Sequence, residues 1–315
     1  MKLIIQIPCY NEENTLTETV RDLPTEIEGI DSIEYLVILD GCTDKTEQVA
    51  KECGVHHILS LGRNFGLATA FMRGLDYALL QGADIVVNTD GDNQYSGFDI
   101  PKLVEPILSE KADMVIGSRP IVKHPEFGFV KKILQVVGSW VLRCLSKTHV
   151  KDAPSGFRAY SRETCMKLHL HSSFSHCTES LIQAGHLGLV VDSVDININP
   201  KTRDSRLFSS VSQYIWKQGK TMLSMFLLYR PGVFFFCLGL CFIIPAFILG
   251  IHFIDAVYIH PRELRHGMTP TLILLAMLGL FGFISWSLGV LGDLIKNQRR
   301  ITEEQLFITK KNYYA

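Results

Sequence analysis

Over the first two thirds of the chain, short apolar runs alternate with apolar residues at helical spacing. Residues 3–7, 35–39, 58–61, 85–89 and 114–117 are brief, β-branched-rich stretches bounded by turn formers, and each reads as a strand. Between them Leu16, Val20 and Leu23, then Ala68, Met72, Leu75 and Leu79, recur at three- and four-residue steps. That spacing gives each intervening helix one apolar stripe to pack on a sheet. The alternation predicts an α/β fold with a mostly parallel, Rossmann-like sheet, and makes the stripes core rather than site. In open sheets of this kind ligands gather at the carboxyl ends of the strands, so the polar residues that follow each strand are the ones to read for function.

The pattern changes near Pro231. Residues 233–254 and 271–291 are two runs of about 20 residues with almost no charge, enough to cross a bilayer core of about 30 Å at about 1.5 Å per residue. The polar linker 255–270 suits the turn of a helical hairpin. Lys217, Lys220 and Arg230 precede the first run, and Lys296, Arg299, Arg300, Lys310 and Lys311 follow the second, whereas the linker carries only Arg262 and Arg265. The positive-inside rule then places both termini, and the α/β region with them, in the cytosol. A hairpin buried within a larger soluble fold is the alternative. Residues 206–229 and 127–150 mix aromatic and aliphatic side chains with lysine and arginine, as basic amphipathic helices on an anionic leaflet do; ordinary core helices have the same pattern.

Composition narrows the classes. A length of 315 residues leaves room for one ordinary soluble domain and a more apolar part. The apolar stretch 3–7 is too short for a signal peptide. A net charge of -1 argues against a nucleic-acid partner. The eight cysteines form no C-x-x-C pair and read as reduced structural residues, and the eleven histidines include no H-E-x-x-H, which argues against a histidine-bound zinc.

The fourth predicted strand leads into Asn88-Thr89-Asp90-Gly91-Asp92-Asn93-Gln94-Tyr95. Two carboxylates one residue apart can face a single hard cation. Mg²⁺ or Mn²⁺ held in this way keeps positions open for phosphate oxygens and neutralises a departing diphosphate. An isolated Asp-Gly is also an ordinary turn, so the company matters. It consists of Pro8-Cys9-Tyr10-Asn11-Glu12 after the first strand, Asp40-Gly41-Cys42-Thr43-Asp44 after the second and Arg63-Asn64-Phe65-Gly66 after the third. Tyr10 can stack on a base, Glu12 or Asp40 can accept from a base N–H or a ribose hydroxyl, and Arg63 can approach phosphates. Asp44 also reads as a helix N-cap.

With these motifs, and with Gly117-Ser118-Arg119 and Ser155-Gly156-Phe157-Arg158 further on, residues 1 to about 210 resemble glycosyltransferase family 2. The whole chain resembles its polyprenyl-phosphate branch. The resemblance implies a GT-A nucleotide-sugar domain at 1–205, a juxtamembrane segment at 206–230, a two-helix transmembrane hairpin at 231–295 and a cytosolic tail at 296–315. It implies that Pro8, Tyr10, Asn11, Glu12, Asp40, Arg63, Asp90, Gly91 and Arg119 bind the nucleotide sugar, and that Asp90, Asp92 and Gln94 hold the metal. Ser155, Arg158, Arg203 and Arg206 would meet the acceptor phosphate, with Asp92, Ser155 and Arg158 carrying catalysis. Three positions depart from the family pattern: Leu39 stands where the first of two aspartates is usual, Leu67 where a lysine commonly follows Arg-Asn-x-Gly, and Arg206 where the family has lysine.

The expected activity is an inverting transfer of a sugar from a nucleoside-diphosphate donor to an undecaprenyl or dolichyl phosphate at the membrane. The partners are then a nucleotide sugar, a polyprenyl phosphate and the lipid bilayer, with a homo-oligomer left open. Two rivals remain at this stage. One is a glycosyltransferase acting on a glycan hydroxyl, against which stand the missing Q-x-x-R-W segment and the presence of only two apolar spans. The other is a non-catalytic membrane adaptor, against which the intact Asp90, Asp92 and Gln94 argue.

Overall fold

The computed structural model describes residues 1–120, 146, 148, 150, 152–170, 176–200, 211–259 and 268–314. Arg203, Arg206, Arg262, Arg265 and most of 127–150 lie outside the described residues. The chain divides into two units, Met1–Met222 together with Glu303–Ala315, and Leu223–Thr302.

The larger unit contains, among its described residues, the strands β1 (Lys2–Cys9), β2 (Ser32–Leu39), β3 (His57–Ser60), β4 (Ile85–Asn88), β5 (Met114–Ser118), β6 (Arg158–Ser161) and β7 (Val191–Asp195). They form one sheet in the order β3-β2-β1-β4-β6-β5-β7. All neighbours pair in parallel except β6, which is antiparallel to both β4 and β5. The five expected strands are present, and β6 and β7 are additions to them. Central β1 is apolar almost throughout, and Leu3, Ile4, Ile5 and Ile7 are fully buried, because helices cover both faces of the sheet.

Those helices are α1 (Leu16–Arg21), α2 (Thr46–Glu52), α3 (Leu67–Leu80), α4 (Ile100–Leu108), α5 (Arg162–Lys167) and α6 (His176–His186). The predicted stripes face inward: Leu16, Val20, Leu23, Ala68, Leu75 and Leu79 are buried, and Met72 is half-buried. Leu39, one of the departures from the family pattern, belongs to the same core as Val37, Val87 and Val115. An aspartate there would be a buried charge.

Beyond α7 (Val211–Tyr229), on which Trp216 and Lys220 are exposed, come α8 (Pro231–Ile254) and α9 (Thr269–Tyr314). Within the smaller unit α8 and α9 pack through small residues. A Cβ on Gly239 would stand 2.3 Å from the Trp286 indole nitrogen, and one on Gly282 would stand 2.5 Å from Ile243. Trp286 stacks on Phe236 at 5.9 Å between ring centres and donates to its carbonyl at 3.3 Å. The apolar windows have mean hydropathies of 2.7 and 2.1 yet are only 11% and 17% buried, unlike core helices of a soluble protein. Two helices long and apolar enough to span a bilayer, with such faces turned outward, indicate membrane association.

The segment expected as a cytosolic tail, 296–315, falls on α9 as far as Tyr314. Its last residues group with the larger unit, where Lys310 pairs with Asp76 of α3 at 2.8 Å and Arg162 donates to the Tyr314 carbonyl at 2.6 Å.

Candidate active site

The carboxyl ends of β1, β2 and β4 lie side by side, so the loops that leave them meet. Asn11 takes a left-handed φ of 56°, and its Oδ1 accepts from the Thr43 N–H at 2.8 Å, which ties the first loop to the second. The Glu13 N–H donates to Asp44 at 3.2 Å, and Asp44 also accepts from the N–H of Thr46 at 3.0 Å; the N-cap position of α2 itself is Lys45, so Asp44 lies one residue before the cap expected of it. Partial burial works against the Asp44 carboxylate, but the hydrogen bonds from Thr46 and Glu13 outweigh it and hold its pKa below the usual range. Tyr10 is 43% exposed at this edge, and Arg63 lies over the exposed ring of Phe65 at 4.5 Å. Asp40 is buried, and its two oxygens accept from the N–H groups of Phe65 and Gly66 at 2.7 and 2.9 Å. It therefore shapes the loop that opens α3, a different use of its carboxylate from the base contact expected of it.

The metal motif is packed against the first loop. Gly91 is confined: a Cβ there would stand 2.9 Å from Cys9 Sγ and 3.3 Å from Glu12 Cγ. Its carbonyl accepts from the hydroxyls of Thr15 at 2.7 Å and Thr19 at 3.2 Å. Glu12, buried in the same contact, accepts from Thr15 at 3.1 Å. Asp92 accepts from the Gln94 N–H at 3.2 Å, closing the turn. The segment after β7 straps the loop from outside, where Asn199 donates through its backbone to the Gln94 carbonyl at 3.0 Å and through its side chain to that of Asn93 at 3.1 Å.

Burial first and the charge of Asp92 second push the pKa of Asp90 up to about 7, with His176 and Arg119 pulling the other way. A carboxylate whose charge is penalised by burial and by a second carboxylate beside it is suited to a hard cation. Among the described residues no three Asp, Glu, His or Cys side chains converge on one metal position. The remaining ligands of an ion at Asp90 and Asp92 would thus be Gln94 and oxygens of substrate or water, as Mg²⁺ and Mn²⁺ accept.

The Ser155–Arg158 motif approaches the Asp90 carboxylate through Gly156. A Cβ on Gly156 would stand 3.4 and 3.5 Å from the two oxygens of Asp90. Ser155 is fully buried, and its hydroxyl has no hydrogen-bond partner among the described residues. Arg158 differs from its expected role. It is also fully buried, and its guanidinium donates to the carbonyls of Ser155 at 2.7 Å and Ala153 at 2.6 Å and to the Ser180 hydroxyl at 2.9 Å. A charge enclosed in this way shapes the loop from behind instead of facing an incoming phosphate. Arg119 forms a bidentate pair with the buried Asp152, at 2.6 and 3.1 Å. Pro8 is a buried strand residue opposite Ile38 of β2.

Two participants escaped sequence reading. Asp152 carries a signal, as a charge three residues before Ser155, but only its pairing with Arg119 reveals its role. His176 opens α6 and stacks on Phe71 at 4.5 Å; burial first, and then the charge of Arg158, push its pKa down to about 3, so it stays neutral.

The comparisons with known proteins agree with this geometry. The family model described as glycosyl transferase family 2 matches residues 4–168. The UDP-N-acetylglucosamine–dolichyl-phosphate N-acetylglucosaminyltransferase of Methanococcus voltae is 29% identical over 60% of this chain and 82% of its own. Glycosyltransferase AglJ of Haloferax volcanii is 28% identical over 94% of both chains, so that likeness extends through the apolar hairpin. Among solved structures, the glucosyl-3-phosphoglycerate synthase of Mycobacterium tuberculosis overlays with a TM-score of 0.55 at 23% identity, covering 72% of this chain and 78% of that one, which shows a shared fold. With a matching family model over half its length and the motif loops gathered at one sheet edge, the chain belongs to glycosyl transferase family 2.

Proposed function

We propose that this chain moves a sugar from a nucleoside-diphosphate sugar to a polyprenyl phosphate, undecaprenyl or dolichyl, with inversion and at the cytosolic face of a membrane. The observation that carries the reading is the approach of Gly156 to the Asp90 carboxylate, which joins the donor motif to the Ser155–Arg158 motif. Support comes from the outward-facing apolar hairpin and from a relative named for transfer to dolichyl phosphate.

In the proposed reaction an oxygen of the lipid phosphate attacks the anomeric carbon. A C–O bond forms there as the bond to the donor's diphosphate breaks, and the nucleoside diphosphate departs with the electron pair. A phosphate monoester is already anionic near neutral pH, so no strong general base is needed, unlike transfer to a hydroxyl. The protein's contribution is orientation and charge. Tyr10 and the Asn11–Thr43 and Asp40–Gly66 contacts frame the nucleoside, the buried Ser155 hydroxyl, next in sequence to the Gly156 that approaches Asp90, offers a free hydrogen bond, and Arg203 and Arg206, outside the described residues, add positive charge for the acceptor. Mg²⁺ or Mn²⁺ held by Asp90, Asp92 and Gln94 would neutralise the leaving diphosphate.

The test is transfer itself. Full-length protein in lipid nanodiscs, with Mn²⁺ or Mg²⁺ and a panel of UDP- and GDP-sugars, should label undecaprenyl or dolichyl phosphate. No transfer from any donor to either lipid phosphate, or transfer only to a glycan hydroxyl, would refute the proposal.

A further inference from the structure

Gly156 is gripped from both flanks of the metal motif. Its carbonyl accepts from the Asn88 side-chain amide at 2.9 Å, and its N–H donates to the Tyr95 hydroxyl at 3.2 Å. Asn88 lies two residues before Asp90, and Tyr95 directly follows Gln94. Each side chain is itself fixed. Asn88 is fully buried and accepts from Gln6 of central β1 at 3.0 Å. Tyr95 is 4% exposed, and its ring stacks on Phe157 at 5.1 Å and 8°. An apolar residue would fill either place with less desolvation of polar atoms. Instead, one residue of the 152–158 loop, Gly156, has both its backbone carbonyl and its backbone N–H bonded by side chains that flank the metal motif.

We infer that Asn88 and Tyr95 are positioning residues that lock the 152–158 loop to the metal loop, and so fix where the acceptor phosphate meets the donor. This rests on the proposed function, because it takes the 152–158 loop as the acceptor side. Neither residue touches substrate. They act through Gly156, and a displacement of about 1 Å in the placement of reacting groups can cost about a hundredfold in rate.

Tyr95→Phe is the clean test, since it retains the ring stack and removes one acceptor. In nanodisc-held full-length protein the variant should bind Mn²⁺, alone and with UDP or GDP, within about twofold of wild type, and should keep its donor KM. Its kcat for transfer to polyprenyl phosphate should fall about 10- to 100-fold. Hydrogen exchange in the 152–158 peptide should quicken, while that of β1 is unchanged. Asn88→Asp, which retains the shape but cannot donate, should behave alike; if it fails to fold, Tyr95→Phe decides. Wild-type kcat and exchange in Tyr95→Phe would overturn the inference, as would loss of Mn²⁺ binding in step with activity, which marks a merely structural residue. If wild type transfers nothing, the proposed function fails separately. The inference then falls unless Tyr95→Phe quickens loop exchange with Mn²⁺ binding intact.

Discussion

Proton and metal should compete for Asp90 near neutral pH, and the size of that competition can be worked out from the site. With the Asp90 pKa pushed up to about 7 by burial and by Asp92, a cation must displace a proton from the pair. Apparent affinity then falls by the factor 1 + 10^(pKa − pH), roughly 1.1 at pH 8 and roughly 11 at pH 6, an approximately tenfold weakening. A carboxylate at its ordinary 3.8 would give no measurable change over that range. His176, pushed down to about 3, stays neutral throughout and contributes nothing. The same shift fixes the sign of the stability effect. The folded chain holds this proton more tightly than the unfolded chain, so the contribution is fully present below about pH 4 and is lost as pH rises through about 7. From 3.8 to about 7 the change is at most about 4 kcal/mol. The assay is Mn²⁺ titration by water-proton relaxation at pH 6, 7 and 8 and constant ionic strength, with Asp90→Asn as control. An affinity independent of pH, or a tenfold change that persists in Asp90→Asn, would refute the reasoning.

Three further outcomes follow from named contacts. Asp152→Ala leaves the largely buried Arg119 guanidinium without its bidentate partner and should cost about 3–5 kcal/mol, read as a lower thermal midpoint. Asp76→Lys and Lys310→Asp should each lower the stability of the larger unit by about 0.5–1 kcal/mol, and the double variant should recover most of the loss in a thermal double-mutant cycle. Gly91→Ala drives a methyl to 2.9 Å from Cys9 Sγ, and should cost about 1–3 kcal/mol by calorimetry and weaken Mn²⁺ binding as the loop shifts.

The sequence revealed most where burial and chemistry coincide with simple periodicity. Strands β1, β2 and β4 are apolar runs because both faces are covered, and their ends carry the polar motifs that the structure assembles. The strands that escaped notice lack that signature. β6 is four residues long and begins with Arg158, a buried charge where the pattern calls for an apolar residue; β7 is an edge strand, Val-Asp-Ser-Val-Asp, with exposed aspartates. Side-chain direction was the other blind spot. An arginine in a phosphate-site motif reads as a clamp, but whether its guanidinium faces the ligand or its own loop depends on the carbonyls of Ala153 and Ser155, and no residue spacing encodes them.

The inward turn of Arg158 changes how the site must balance charge. Arg158 is bonded to its own loop and Arg119 to Asp152, so two of the cations expected to receive phosphates are committed to structure. What these commitments secure is shape. Arg158 binds the carbonyls of Ala153 and Ser155, Asp152 pairs with Arg119, Asn88 and Tyr95 hold Gly156, and that glycine lies against Asp90. The raised pKa of Asp90 records the electrostatic result, since burial and Asp92 outweigh Arg119 there. An anionic donor cannot settle beside such a pair unaided, because like charges at this range repel more strongly in a poorly solvated site than in water. A divalent cation changes the sign of that interaction, with Arg63 at the exposed rim as a further positive group. Under the proposed function the arginines of the motif loops build a frame, and selectivity for a metal-bound diphosphate would arise from the carboxylates that the frame keeps together.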